Sequence, residues 1–196
     1  MKILFVHEID YRKKVIYEIH EFPELIAGLG HEVSFIDFPE QTKPKALFFP
    51  KRTEQIEGRV YKSASLKLIS PGWIGKGTIR RLSAMASFVP ALLPELLANK
   101  PDIIVNYAVP TYGLQVTAIG RLFNVPVIHR ALDASHAIRE SPWNLLIKFW
   151  ERMVLRLSNR VSANNPEMAD YVRAMSGAKK TIKVHNPPLD LHHFGK

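Results

Sequence analysis

The chain has 196 residues, 46% of them hydrophobic, with 27 Lys and Arg against 18 Asp and Glu, eight His and no Cys. This suits one ordinary α/β domain, and a mean hydropathy near zero argues against disorder. The lack of Cys excludes disulfides and thiolate chemistry and fits a reducing compartment, while the absence of an uninterrupted apolar run of about 18 residues argues against a spanning helix.

Lys2-Ile-Leu-Phe-Val-His7 is too short for a signal segment and reads as a first strand, so a cytoplasmic location is expected. Val15, Ile16, Ile19, Leu25, Ile26 and Leu29 recur at helical spacing, with Pro23 ending one helix or opening another. Gly30 supplies the turn before a strand over 32–38. Residues 39–58, rich in Lys, Pro, Glu and Gln, read as a long excursion, and a partly polar strand follows within 60–69. Gly72-Trp-Ile-Gly-Lys-Gly77 lacks P-loop spacing and reads as a hinge-like loop. From Thr78 to Asn99 the pattern is helical, broken or kinked at Pro90 and Pro94.

Strands over 103–107, 127–130, 160–163 and 181–185 then alternate with helices over 111–123 and 141–159 and a third opening at Pro166. Ser141-Pro142 supplies N-cap and N1 residues, Pro166 opens the last helix after Asn164 or Asn165 as cap, and Gly177 closes it. The order predicts an α/β, Rossmann-like three-layer domain with a mostly parallel sheet over residues 1–185. Residues 186–196, with Asn186-Pro-Pro, read as the start of a linker.

The net charge of +9 is unevenly placed, at −4 over residues 1–40 and +8 over residues 41–100. The basic span nominates an anionic partner: a polyanion, an anionic bilayer surface or a phosphorylated small molecule. Nucleic acid is disfavoured because there is no helix-turn-helix pattern, zinc spacing or aromatic-interleaved basic sheet. Lys148, Arg152, Arg156 and Arg160 follow at i+4 steps, opposite an apolar seam of Leu146, Trp150, Met153, Val154 and Leu157. This is either an ordinary surface helix or, with Trp73, a contact for an anionic membrane leaflet.

In a parallel sheet ligands gather beyond the carboxyl ends of the strands. That rule nominates His7, Glu8 and Asp10 after the first strand, Asn106 and Tyr107 after the 103–107 strand, and Arg130, Asp133 and His136 after the 127–130 strand. Such side chains could orient sugar hydroxyls, and Arg130 could hold a phosphate. The alternative is that His7 and His129 are hydrogen-bonded core residues and Asp133 caps a turn. No pair of His has metal-ligand spacing, so no metal is expected.

The element order, with Lys2 to His7, Leu29-Gly-His-Glu-Val33, Pro101-Asp-Ile-Ile-Val105, Asn124-Val-Pro-Val-Ile128, Val161-Ser-Ala-Asn164 and Asn186, Asp190 and Phe194 at matching places, resembles the N-terminal domain of the family-4 retaining glycosyltransferases. The resemblance implies a GT-B fold and sugar transfer from a nucleotide-sugar to an acceptor bound by this domain. It implies a donor site in a C-terminal domain, no cofactor in this one, and no activity for this half alone. Many resembling enzymes use lipid-linked acceptors, so a lipid-linked or cell-envelope acceptor and a peripheral place on the inner membrane face are expected. The family often has Gly-Gly where this chain has His7-Glu-Ile-Asp-Tyr11, and His-Asp where it has Leu132-Asp133. Asp133 is therefore the expected catalytic carboxylate, with His136 as a nearby imidazole. A non-catalytic sugar-phosphate-binding regulator and a nucleotide-sugar epimerase are the alternative functions.

Overall fold

The first strand, β1 (Lys2–Val6), buries Ile3, Leu4, Phe5 and Val6, as a strand covered on both faces must. It lies mid-sheet, parallel to β2 (Glu32–Ile36) on one side and to β7 (Ile103–Asn106) on the other. The computed structural model describes residues 1–39, 47–137, 142–177 and 181–185. The expected linker with Asn186, Asp190 and Phe194, and the expected cap Ser141, lie outside them.

With β4 (Arg52–Glu57), β5 (Ser65–Ser70), β8 (Val127–Ala131), β9 (Arg160–Ala163) and β10 (Ile182–Val184), the sheet runs β10-β9-β8-β7-β1-β2-β5-β4. Every neighbouring pair is parallel except β4 and β5. A separate antiparallel pair joins β3 (Phe48–Phe49) to β6 (Trp73–Ile74). The described part of the expected excursion is thus mostly strand. β4 is an edge strand with little buried side chain, so its polar residues carry no alternation, and backbone pairing to β5 makes it a strand.

Helix α1 (Glu18–Gly28) packs Ile19, Phe22 and Ile26 on one face of the sheet, against Phe5, Phe35 and Leu68. Its start lies past Val15 and Ile16, which are exposed, and Pro23 sits inside it. Gly30 takes φ +86° after the helix, a conformation that costs glycine little.

The opposite face carries α2 (Gly77–Pro94) and α3 (Gly113–Leu122), which bury Phe88, Leu92, Tyr112 and Val116 against Leu4, Ile36 and Ile104. Phe88 and Tyr112 stack at 4.3 Å. Helix α4 (Asn144–Leu157) lies beside α3, and α5 (Pro166–Ser176) beside α4, with Leu155 and Val172 on Ala131 and Val161. Of the two Asn expected to cap α5, Asn165 does so, accepting from Met168 N at 2.7 Å.

Helix α2 runs unbroken through Pro90 and Pro94 and continues as a π-turn over Glu95–Asn99. Pro94 has no N–H for the Pro90 carbonyl, and Lys51 Nζ donates to that oxygen instead, at 3.2 Å. Gly77–Asn99 is long and apolar enough to cross a membrane by length and composition, although Ala84, Phe88, Ala91 and Leu92 are locked in the core.

Two surface expectations change. Trp73 is buried, donates from Nε1 to the Pro39 carbonyl at 2.9 Å and stacks on Phe49, because the β3–β6 pair folds it inward; it is not available for membrane contact. In α4 the buried positions are Ile147, Glu151, Val154 and Leu155, a different phase from the expected seam, which leaves Leu146 exposed.

Candidate functional site

Connections from β1 run toward β2 and those from β7 toward β8, so the sheet's topological switch lies between β1 and β7. A crevice opens there beyond the carboxyl ends of the strands. It is a cleft of about 80 Å³, lined by residues 7–9, by Tyr107, Val109 and Pro110, and by residues 129–133 with Ser135. Of the expected site residues, His7, Glu8, Tyr107, Arg130 and Asp133 line it.

Glu8 shapes the cleft. Its Oε1 accepts from the Thr111 and Tyr112 amides at 2.6 and 2.8 Å, clamping the loop that leads into α3. Its Oε2 is buried with no hydrogen-bond partner among the described residues. The same loop passes so close to α3 that a Cβ on Gly113 would lie 2.2 Å from the Ala108 carbonyl oxygen. His7 stacks on Tyr107, with centroids 5.3 Å apart, and its Nδ1 accepts from the Glu8 amide at 2.7 Å.

Beneath the cleft, Asn106 is fully buried; its Oδ1 accepts from Ala108 N at 2.8 Å and its Nδ2 is 3.4 Å from His129 Nδ1. Burial lowers the His129 pKa to about 4, so the imidazole is neutral at pH 7. Asn106 therefore supports the cleft floor and does not line it.

Arg130 requires a correction. Its Nε and Nη2 grip the two oxygens of Glu18 at 2.6 and 2.8 Å, Nη1 donates to Ser162 Oγ and the Ala163 carbonyl, and Nη2 also donates to the His185 carbonyl. All five donors are engaged, and the guanidinium lies 5.7 Å from the Phe22 ring centre. The group expected to hold a phosphate instead ties α1 to β9 and to the end of β10.

Asp10 and His136 do not line the cleft. Asp10 Oδ1 accepts from the Arg12 and Lys13 amides at 3.0 and 3.1 Å, closing its own turn. His136 Nδ1 is 2.9 Å from Oε2 of buried Glu151 and 3.1 Å from the Tyr171 hydroxyl, and the two rings stack at 6.1 Å. Glu151 also accepts from the Ser135 and His136 amides at 3.2 and 3.4 Å, so it fixes the turn that follows Asp133.

Asp133 is exposed at the cleft rim. The Tyr17 hydroxyl is pushed up to about 12 by burial, with the charges of Asp133 and Glu18 adding to it. Tyr171 is raised by burial, Glu151 and Asp133. The Asp133 charge thus acts on hydroxyls from the segment before α1 and from α5, both of which keep their protons at neutral pH. Tyr17, Tyr171, Glu18 and Glu151 were not expected here.

On helix α4, Lys148, Arg152 and Arg156 are exposed, and Arg156 also donates from Nε to the Ser176 carbonyl at 2.8 Å, closing the end of α5.

The fold is shared with several solved enzymes. The chain superposes on sucrose-phosphate synthase from Thermosynechococcus elongatus with a TM-score of 0.60 at 14% identity, covering 97% of this chain and 90% of that one. It superposes on UDP-GlcNAc 2-epimerase from Neisseria meningitidis bound to UDP-GlcNAc with a TM-score of 0.58 at 14% identity, over 95% of this chain and 47% of that one. For the catalytic domain of starch synthase IV from Arabidopsis thaliana, bound to ADP and acarbose, the TM-score is 0.52 at 14% identity, over 94% and 51%. The chain therefore spans about half the length of the latter two. No curated protein matches the sequence. The profile of Glycosyltransferase Family 4 matches residues 19–193. With that match over most of its length and a Rossmann-like fold shared with GT-B enzymes, the chain belongs to glycosyltransferase family 4.

Proposed function

We propose that this chain is the acceptor-side domain of a glycosyltransferase that moves a sugar from a nucleotide-sugar to a lipid-linked or cell-envelope acceptor. The observation that carries the reading is the cleft at the switch point between β1 and β7, with Asp133 at its rim, in a family-4 chain. At about 80 Å³ it is well below the ~300–1,000 Å³ of a complete ligand site. It suits one face of a sugar, with the donor presented by a second domain.

In this reading Asp133 accepts a hydrogen bond from the attacking acceptor hydroxyl, and Glu8 and His7, which line the cleft, orient neighbouring hydroxyls. Directional hydrogen bonds that hold the nucleophile beside the reacting carbon supply much of the rate in such a transfer. His136 acts through Glu151 as a brace for the 133–137 turn, and Arg130 through Glu18 as a brace for the sheet; neither touches the acceptor.

The test is a panel of nucleotide-sugars offered to the full-length protein with and without lipid-linked acceptors. Nucleotide release that depends on acceptor supports the proposal. Interconversion of a nucleotide-sugar without acceptor would favour the epimerase reading, and binding of a sugar phosphate without turnover the regulator reading. Absence of a second α/β domain from the complete gene product would contradict a two-domain transferase.

A further inference from the structure

Helices that follow parallel strands start at the strands' carboxyl edge, so α2, α3 and α4 all open on the edge that holds the cleft. Helix α3 lies between the other two, touching α4 along its length and α2 through Gln115 Nε2, which donates to the Met85 carbonyl at 3.2 Å. The starts of α2 and α4 thus flank α3 on one face of the sheet.

Both starts expose apolar side chains. On α4 Leu145 is 85% and Phe149 55% exposed, with Leu146 beside them and Trp143 just before the helix. On α2 Ile79 and Leu82 are more than half exposed, with Ile74 just before the helix. Taken at 100° per residue, the exposed positions of α4 form one arc in the order Lys148, Arg152, Leu145, Arg156, Phe149 and Leu146, so the cations hold one end, the apolar side chains the other, and the two interleave at its centre. The only acid in α4 is Glu151, buried on the opposite side, and α2 has none. Among the described residues no ion pair involves Lys148 or Arg152.

We propose that the exposed arc of α4, with the start of α2, is a docking face for an anionic lipid surface, the apolar side chains entering the headgroup boundary and Lys148 and Arg152 meeting the lipid charge. Charge complementarity decides the occupant. A face with cations and no exposed acid repels a second copy of itself, while an anionic bilayer offers apolar depth and negative charge together. Docking at this edge sets the cleft mouth at the membrane. This deepens the proposed acceptor class, yet it is read without donor or acceptor, so the two fail separately.

The experiment is co-sedimentation of this chain with phosphatidylcholine vesicles, with and without phosphatidylglycerol, at low and high salt. Binding should require phosphatidylglycerol and weaken as salt rises. The exposed-site variants Leu145→Glu with Phe149→Glu, and Lys148→Glu with Arg152→Glu, should each lose about tenfold or more in vesicle affinity with an unchanged circular dichroism spectrum. Trp73→Phe, an inward position, should bind as the wild type does. Equal binding to neutral vesicles, no binding to either kind, or full binding by both paired variants overturns the proposal. So does a dimer in vesicle-free sedimentation equilibrium that Leu145→Glu with Phe149→Glu dissolves, since it makes the face a subunit contact.

Discussion

Arg130 and Glu18 meet in a bidentate pair, Nε to Oε1 at 2.6 Å and Nη2 to Oε2 at 2.8 Å, with both side chains buried beneath the carboxyl edge of the sheet. Removing one partner leaves the other charge buried and unpaired. Glu18→Ala should therefore destabilise the fold by about 3–5 kcal/mol in urea unfolding. Replacing both residues by apolar side chains of similar volume should recover most of that loss. An effect of Glu18→Ala under 1 kcal/mol, roughly the value of an exposed pair, would contradict the assignment.

Two buried groups give opposing pH slopes. His129, with its folded pKa lowered to about 4 from 6.5, contributes stability that is present above pH 6.5 and lost as pH falls toward 4. Asp37 is raised from 3.8 to about 7, mainly by burial with Asp10 beside it, while Ser70, the Tyr11 amide and Arg12 oppose the rise. Its contribution is full below pH 3.8 and is lost as pH rises through 7. Each slope reaches about 1.4 kcal/mol per pH unit, so between pH 4 and 6.5 they offset. Relative to wild type, Asp37→Asn should make stability rise more steeply with pH across that window, and His129→Asn should make it fall. Denaturant midpoints across the window check both signs.

Glu8 closes the Thr111–Tyr112 loop through one carboxylate oxygen. Glu8→Ala leaves two amides without their acceptor and should cost about 1–3 kcal/mol, with faster hydrogen exchange at both amides. Glu8→Gln keeps an acceptor oxygen and should restore their protection. Unchanged exchange in Glu8→Ala would show that the loop is held by other contacts.

Trp73→Ala should cost about 3–5 kcal/mol because the indole is packed in the core. Leu145→Ala, 85% exposed, should stay within about 0.5 kcal/mol. Thermal unfolding separates them, and equal midpoints would place Trp73 on the surface.

The parallel core could be read from the sequence because β1 and β7 are short, nearly all-apolar runs covered on both faces, and because β2 and β8 recur with them between helical segments. β4 could not, since Arg52 to Glu57 is a solvent-facing edge whose strand character comes from β5. In α4 the period marked a helix but not its phase, because Leu, Ile, Phe, Trp, Met and Val fill most positions. Only packing on Ala131 and α3 shows that Leu155 points inward and Leu145 outward. At the site, strand-end position located the cleft and five of its lining side chains. It could not show that Arg130 is consumed by Glu18, 112 positions away, or that Glu151 holds His136, because such pairings are made by the folded sheet.

The most direct measurement is acceptor-dependent transfer by the full-length protein carrying Asp133→Asn, at saturating nucleotide-sugar. Asp133 stands at the cleft rim and makes little of the core, so the variant should fold and bind donor as the wild type does. Transfer should fall by about 100-fold or more, the scale of a positioned proton acceptor. A folded Asp133→Asn protein that transfers sugar at the wild-type rate would contradict the account.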